Sequence, residues 1–334
     1  MHSLESPNIA IICGGTGGAA VLSELKYFTP NITAAVNMAD DDGSSGKLVR
    51  KYGVMPPGDV NQCQTALSNN EGLARSLRIR DDDGHTPGNL WLAELELKLG
   101  SFETAVDIVN RELDITGRVL PVTLLPHVLA LRDGNEEVFG ESKIGHRQFI
   151  SKTPTVRLEP NVPLNPRVEA ALYAADQIVI APGNRYGSLL PALVVRGMKE
   201  TLRDCDAQLV MISNLLYKKA GFSGGHVVDD IHTIERHIGE GIINVTLYNT
   251  NLPSADMIAR YGNPGETAVD ISPERFNEVS ARAIGALLLS RTITESDLND
   301  TLIRHRRTQI KHDGREVARQ LMQIASSPKL MKVV

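Results

Sequence analysis

A short apolar run near the start of the chain, followed by glycines, constrains the fold more than any other feature. Ile9–Cys13 is compact and rich in β-branched residues, which is typical of a buried strand. Gly14–Gly18 follows directly, Ala19–Tyr27 has helical spacing of apolar residues, and Ile32–Val36 is a second apolar run. This succession predicts a βαβ unit, which requires a parallel sheet with a right-handed crossover.

Later apolar runs extend this sheet. Gln177–Ala181, Gln208–Ile212 and Ile242–Leu247 each have the length of a buried strand and lie next to a helical stretch. Because continuous apolar strands that alternate with helices must be covered on both faces, we predict a Rossmann-like, doubly wound, mostly parallel α/β fold. In such sheets ligands bind at the carboxyl ends of the strands.

The middle and the end of the chain differ from this pattern. We predict a single large α/β domain over residues 1–334, with a small β-hairpin insertion at about 118–150 that turns at Asp133–Asn135. The proline-rich Thr153–Pro166 predicts an extended crossover. A C-terminal helical segment is expected at about 273–334.

Composition excludes several classes of protein. Lys plus Arg is 35 and Asp plus Glu is 40, so the net charge of −5 argues against a nucleic-acid partner. No apolar run is long enough to span a membrane, and no secretory signal is visible, so we expect a soluble, cytoplasmic protein. The three cysteines are far apart and form no C-x-x-C pair, which argues against a disulfide framework or a zinc ribbon.

The glycine-rich segment is the first candidate for ligand binding. Gly14, Gly15, Thr16, Gly17 and Gly18 join a strand to a helix, so their backbone N–H groups are expected to bind a phosphate. A tight turn without a ligand is the alternative. No G-K-[ST] follows the glycines, which excludes a P-loop kinase or ATPase.

The aspartate-rich segment after the second strand is the second candidate. Asp40 and Asp41 are expected either to bind ribose hydroxyls or to hold Mg²⁺. Ser44, Ser45 and Gly46 offer hydroxyl and N–H donors to an anion. The alternative is a solvated run of charge that caps the following helix.

Further candidates follow the other strands or precede helices. Asp59 is expected to be a helix N-cap or a ligand contact, and Asn89 a cap or a contact. Arg185 is a candidate for a phosphate contact, and the neighbouring tyrosine for a contact with a sugar or base. The remaining predicted ligand-binding residues near strand ends are Gly183, Asn184, Tyr186, Ser188 and Asn214.

Together these motifs resemble the gluconeogenesis factor family, which is related to 2-phospho-L-lactate transferase. The motifs on which this resemblance depends are, in chain order, Ile12–Gly18, Ala39–Leu48, Pro57–Cys63, Gly88–Leu90, Ala181–Ser188 and the Lys-His-Asp of Lys311–Asp313. The resemblance implies a UDP-sugar ligand such as UDP-N-acetylglucosamine, Lys311 as a site residue, and a role in carbon metabolism, cell-wall synthesis and cell shape. The transferase relatives imply Mg²⁺ at a loop that resembles Asp40 and Asp41.

The chain departs from the family pattern at several positions. Asn61 stands where the pattern has Arg, so a bidentate phosphate clamp is lost. The other departures are Asp42, Gln62, Asn184, Gly187 and Lys311. A shifted ligand preference is therefore expected.

Three functions remain open on the sequence alone. The first is a regulatory protein that binds a nucleotide-linked small molecule without turnover. The second is a Mg²⁺-dependent transferase acting on a nucleotide-diphosphate-linked substrate. The third, an NAD-dependent oxidoreductase, depends on a G-x-G-x-x-A match alone, and the aspartate run fits it poorly. A homodimer is compatible with such a fold.

Overall fold

A seven-stranded parallel sheet forms the centre of the computed structural model, which describes residues 6–145, 147–218, 225–291 and 308–328. The strands are β1 (Ile9–Cys13), β2 (Ile32–Val36), β3 (Arg118–Pro121), β4 (Val128–Asp133), β5 (Glu136–Phe139), β6 (Thr155–Glu159), β7 (Gln177–Ile180), β8 (Gln208–Ile212), β9 (Leu216–Lys218), β10 (Val245–Asn249), β11 (Glu266–Ala268) and β12 (Arg282–Ala286). The sheet order is β3-β2-β1-β7-β8-β10-β12, with every pair parallel.

Helices cover both faces of this sheet, which is why the inner strands are buried along their whole length. Every residue of β1, β2 and β8 is buried. The helices are α1 (Thr16–Leu25), α2 (Gly43–Tyr52), α3 (Gly58–Leu67), α4 (Glu71–Ser76), α5 (Pro87–Leu99), α6 (Phe102–Glu112), α7 (Glu141–Gly145), α8 (Pro166–Tyr173), α9 (Leu190–Leu193), α10 (Met198–Asp204), α11 (Val227–Ile238), α12 (Ala255–Tyr261) and α13 (Gly314–Ala325). A π-helical turn, Arg185–Leu189, and a 3₁₀ turn, Pro273–Glu278, complete the described elements.

The strand order confirms the predicted Rossmann-like fold and locates its switch point. From β1 the chain winds outward through β2 to β3, and then returns to β7 on the other side of β1. The crevice between the carboxyl ends of β1 and β7 is therefore where such folds bind ligands.

The antiparallel part lies later in the chain than the predicted insertion at about 118–150. β3 is the edge strand of the parallel sheet, and the antiparallel sheet has the order β5-β4-β6. Part of the expected crossover is thus a strand, β6. The prolines Pro154 and Pro160 flank this strand and β6 lies at an edge, so neither proline interrupts a ladder.

The segment expected to be helical at about 273–334 is mixed where the structure describes it. β12 pairs with β10 at the edge of the main sheet, and only α13 is a long helix. Residues 292–307 lie outside the described residues. Across the residues that are described, none of the helices has the length and apolarity needed to cross a membrane.

Candidate functional site

The glycine loop after β1 is packed too closely for side chains. A Cβ at Gly17 would collide with the carbonyl oxygen of Pro182, and one at Gly18 would collide with the side chain of Cys13. Gly15 is the N-cap of α1 and provides no side-chain cap to the helix start. These glycines therefore have a packing role, and they also leave the N–H groups at the start of α1 to the carboxyl edge of the sheet.

Side chains from α3 line the same loop. Thr16 Oγ1 donates to Gln62 Oε1 at 3.1 Å, and Gln62 Nε2 donates to Asp59 Oδ1 at 3.5 Å. A Cβ at Gly15 would collide with both the Asp59 and the Gln62 side chains. The alternative of Asp59 as an N-cap is wrong, because α3 begins at Gly58 and its cap position holds another residue without a side-chain cap.

The loop after β7 faces the glycine loop and is fixed by two asparagines. Asn214 and Gly183 exchange two hydrogen bonds, each of 2.9 Å. Asn184 Oδ1 accepts from the backbone N–H groups of Tyr186 and the next residue, both at 3.0 Å. The side chain of Ser188 lies beside Gly14, so the two loops meet across the switch point.

Two side chains of this loop point away from the open edge. The Tyr186 ring is buried and packs edge-on against Phe149, with 4.6 Å between ring centroids. Arg185, a candidate phosphate contact, instead forms a buried ion pair with Asp230 and lies 4.6 Å from the ring centroid of Tyr217. These contacts hold the loop against buried residues of the protein interior.

The aspartate loop is anchored to the antiparallel part of the molecule. Asp41 Oδ1 accepts from the Ser142 backbone N–H at 2.9 Å. Asp40 Oδ1 accepts from the Asp42 backbone N–H at 3.3 Å. A Cβ at Gly46 would collide with the carbonyl oxygen of Asp41, so the glycine permits α2 to start close to the loop.

Glu141 is a site residue that sequence reasoning missed. Burial and, secondarily, the negative charges of Asp40, Asp41, Asp59 and Asp42 together raise its pKa to about 8. The acidic groups of three segments therefore converge here. Across residues 6–145 and the other described ranges, no group of three or more His, Cys, Asp or Glu is arranged to hold a metal ion. Mg²⁺ at Asp40 and Asp41 stays a prediction. No local sequence signal marks Glu141, because it is an isolated acid in an insertion.

The predicted serine and asparagine contacts lie in a buried hydrogen-bond network. Ser44 Oγ is 2.8 Å from His85 Nδ1, and Asn89 Nδ2 donates to Ser44 Oγ at 3.0 Å. Asn61 Nδ2 donates to Asn89 Oδ1 at 3.1 Å. Ser45 Oγ accepts from the first backbone N–H of α3 at 3.0 Å. These side chains join the starts of α2, α3 and α5, and their contact with a ligand stays a prediction.

The Lys-His-Asp run reaches the site edge from the end of the described chain. His312 Nε2 donates to the carbonyl oxygen of Ser213, the residue after β8, at 3.0 Å. Burial lowers the pKa of His312 to about 4, so the ring is neutral near pH 7. Asp313 caps α13, and the Lys311 carbonyl accepts from Ser290 N–H at 3.0 Å.

A cavity of about 290 Å³ lies at the opposite end of the sheet. It is lined by the amino ends of β1, β2 and β3 and by the end of α8, and it contains none of the predicted site residues. The strand topology and the two facing loops, rather than this cavity, identify the carboxyl edge as the candidate site.

Comparison with known proteins identifies relatives of this chain. The family model of 2-phospho-L-lactate transferase CofD matches residues 9–326. The gluconeogenesis factor of Listeria innocua is 34% identical over 91% of this chain and 94% of its own. That of Bacillus subtilis is 30% identical over 96% of this chain and 98% of its own.

A crystal structure of a UPF0052 family member from Bacillus halodurans is similar to the whole fold. It superposes with a TM-score of 0.86 at 27% identity, covering 96% of this chain and 100% of that one. Two curated relatives at 30% identity or more and a family match over nearly the whole chain indicate common descent. The chain therefore belongs to the CofD family and, within it, groups with the gluconeogenesis factors.

Proposed function

We propose that this protein binds a UDP-sugar such as UDP-N-acetylglucosamine at the carboxyl edge of the sheet. It acts in the cytoplasm, without turnover, as a regulator of carbon metabolism, cell-wall synthesis and cell shape. The observation that carries the proposal is the meeting of two loops at the switch point: Gly17 packs on the carbonyl of Pro182, and Gly14 on Ser188. The names of the gluconeogenesis factor relatives support the regulatory role.

The charge of the site decides how a diphosphate is held. In the part of the chain that the structure describes, acidic side chains converge at this edge and Arg185 is engaged by Asp230, so Arg185 is not assigned to the diphosphate. The uncapped start of α1 offers backbone N–H groups and the positive end of a helix dipole instead. The diphosphate is therefore expected to bind over Gly14–Gly18.

Isothermal titration of the protein with UDP-N-acetylglucosamine tests this proposal. We expect saturable binding of one ligand per chain. Ligand titrated to millimolar concentration without heat, both with and without Mg²⁺, would contradict it. UDP and N-acetylglucosamine, titrated separately, show which part of the ligand carries the affinity.

A matched pair of variants locates the ligand. Asp41→Asn removes a charge from the site edge while its Oδ1 still accepts from Ser142. Asp82→Asn removes a charge from an exposed loop. If Asp41 acts through Mg²⁺, its variant loses the metal dependence of binding and the Asp82 variant keeps it. If Asp41 faces the sugar, both variants bind independently of metal.

A Mg²⁺-dependent transferase is the second candidate function, and a specific observation favours it. The negative charges of Asp40, Asp41 and Asp59 contribute to the raised pKa of Glu141 beside the glycine loop. Carboxylates that share a site with phosphates are typical of Mg²⁺ sites. Product formation from a nucleotide-diphosphate-linked donor, lost in Asp40→Asn, would support the transferase. Absence of product together with unchanged Mg²⁺ affinity in that variant would exclude it.

A further inference from the structure

Two cysteines that are distant in the sequence meet directly beneath the glycine loop. Cys13 ends β1 and Cys63 lies on α3, and their sulfur atoms are 3.8 Å apart. Both are fully buried, and Cys63 Sγ lies 3.7 Å from the carbonyl oxygen of Gly14. A Cβ at Gly18 would collide with Cys13 and touch Cys63, so the glycine leaves the space that both sulfur atoms occupy.

We propose that Cys13 and Cys63 form an oxidative modification site whose disulfide state lowers the affinity of the adjacent ligand site. This inference concerns regulation of the proposed ligand site and therefore rests in part on the proposed function. The oxidant is a small peroxide. The third cysteine, Cys205, is also buried. It follows α10, and its thiol donates a hydrogen bond to the carbonyl oxygen of Leu202.

The chemistry balances with hydrogen peroxide as the only co-reactant. One thiolate attacks a peroxide oxygen, the O–O bond breaks, and a sulfenic acid and water form. The second thiol then attacks the sulfenic sulfur and releases a second water. The two sulfurs are oxidised by two electrons in total, and peroxide is reduced to two molecules of water.

Both sulfurs are fully buried beneath the glycine loop, so a small oxidant reaches them only when this loop opens locally. Gly14 and Gly18 lie directly against the thiols, and Gly15 and Gly17 complete a layer of backbone without side chains. The hydrogen bond with Cys13 and burial raise the pKa of Cys63. Oxidation of Cys63 is therefore slow compared with that of an exposed thiolate.

Disulfide formation must change the neighbouring ligand site. A disulfide requires the sulfurs to come together by roughly 1.8 Å, to about 2.05 Å. Cys63 shares α3 with Asp59 and Gln62, whose side chains occupy the space that a Cβ at Gly15 would need, so movement of Cys63 toward β1 is expected to carry both side chains toward the glycine loop. The loop that holds the diphosphate is displaced as a result.

The test uses the wild-type protein, treated with hydrogen peroxide and then alkylated and digested. We expect a Cys13–Cys63 linked peptide with the loss of two hydrogens, while Cys205 remains alkylated. UDP-N-acetylglucosamine affinity should fall at least about tenfold and recover with dithiothreitol. In Cys13→Ser, peroxide should leave the affinity unchanged, and Cys205→Ser should respond like the wild type.

The outcomes separate this inference from the proposed function. A protein that never binds the UDP-sugar when reduced refutes the proposed function. The cysteine site is then decided by the linked peptide and by changed hydrogen exchange in residues 14–18. Absence of the linked peptide, with Cys13 and Cys63 both alkylated after unfolding, overturns the inference. A linked peptide with unchanged affinity and unchanged exchange overturns it equally.

Discussion

At the scale of single residues, the glycines of the candidate site are fixed by close packing. The sequence predicts Gly14–Gly18 as a phosphate loop, and the structure adds that Gly17 and Gly18 are required by neighbouring atoms. Such contacts cannot be inferred from spacing, because Pro182 is far away in the chain. The same holds for Glu141, whose neighbours are defined only when the insertion folds back.

Replacement of Gly17 by alanine tests the packing role. The new Cβ would meet the rigid carbonyl of Pro182, so we expect a loss of about 1–3 kcal/mol or more in the free energy of unfolding. Urea unfolding measures it. Gly72→Ala, in α4 where the nearest foreign atom is 3.8 Å away, is the matched control and should be neutral or stabilising. Equal stability of the Gly17 variant and the wild type would refute the assignment.

His312 predicts a specific dependence of stability on pH. Its pKa is lowered from 6.5 to about 4 in the folded protein, so the unfolded chain binds its proton first as the pH falls. The stabilisation is present above about pH 6.5 and is lost toward pH 4. His312→Gln removes this dependence, on the order of 3 kcal/mol over that window. Urea unfolding at pH 7.5, 5.5 and 4.5 gives the difference between the two proteins. A difference that is constant with pH contradicts the pKa.

At the scale of elements, buried strands could be predicted well and edge elements poorly. Ile9–Cys13 and Ile32–Val36 match β1 and β2, because burial on both faces gives a continuous apolar run. β12 is exposed or half-buried except at Ala286, and it lies in the segment that was expected to be helical. Its pairing with β10 is a tertiary contact that no local pattern records. β6 was not predicted, because its pairing with β4 is likewise a tertiary contact.

The cap of α13 provides a test at this scale. Asp313 Oδ1 accepts from the Glu316 backbone N–H at 3.0 Å, and α13 packs on α1, which carries the glycine loop. We expect Asp313→Ala to cost about 1 kcal/mol in the free energy of unfolding. Asp313→Asn retains the acceptor and should cost a few tenths at most. Thermal denaturation compares the two variants, and equal losses would show that the charge, not the cap, matters.

At the scale of the whole molecule, the sheet order unites loops that are distant in the sequence. The glycine loop and Gly183–Ser188 become neighbours because β7 pairs with β1. The sequence indicates that both loops follow strands, and hence that they share one edge of a parallel sheet. It does not indicate which strands are adjacent, because parallel pairing depends on non-local contacts.

Hydrogen exchange of the whole protein tests this arrangement. On binding UDP-N-acetylglucosamine, we expect slower exchange in residues 14–18 and 183–188 together. Residues 30–33 and 117–118, which line the cavity at the opposite end of the sheet, should not change. Protection of the cavity residues alone would place the ligand at the wrong end of the sheet and refute the site.

The central position of β1 also determines when the crevice between β1 and β7 can form during synthesis. β1 emerges from the ribosome before β2 and can pair with it early, but its second partner, β7, follows about 160 residues after β1. Until then, one edge of the innermost strand is open to pairing with other chains. A nascent chain that stops before residue 177 contains the glycine loop intact and yet has no binding crevice. β7 must therefore be translated before it can cover the open edge of β1. Only then are the glycine loop and the loop after β7 both present.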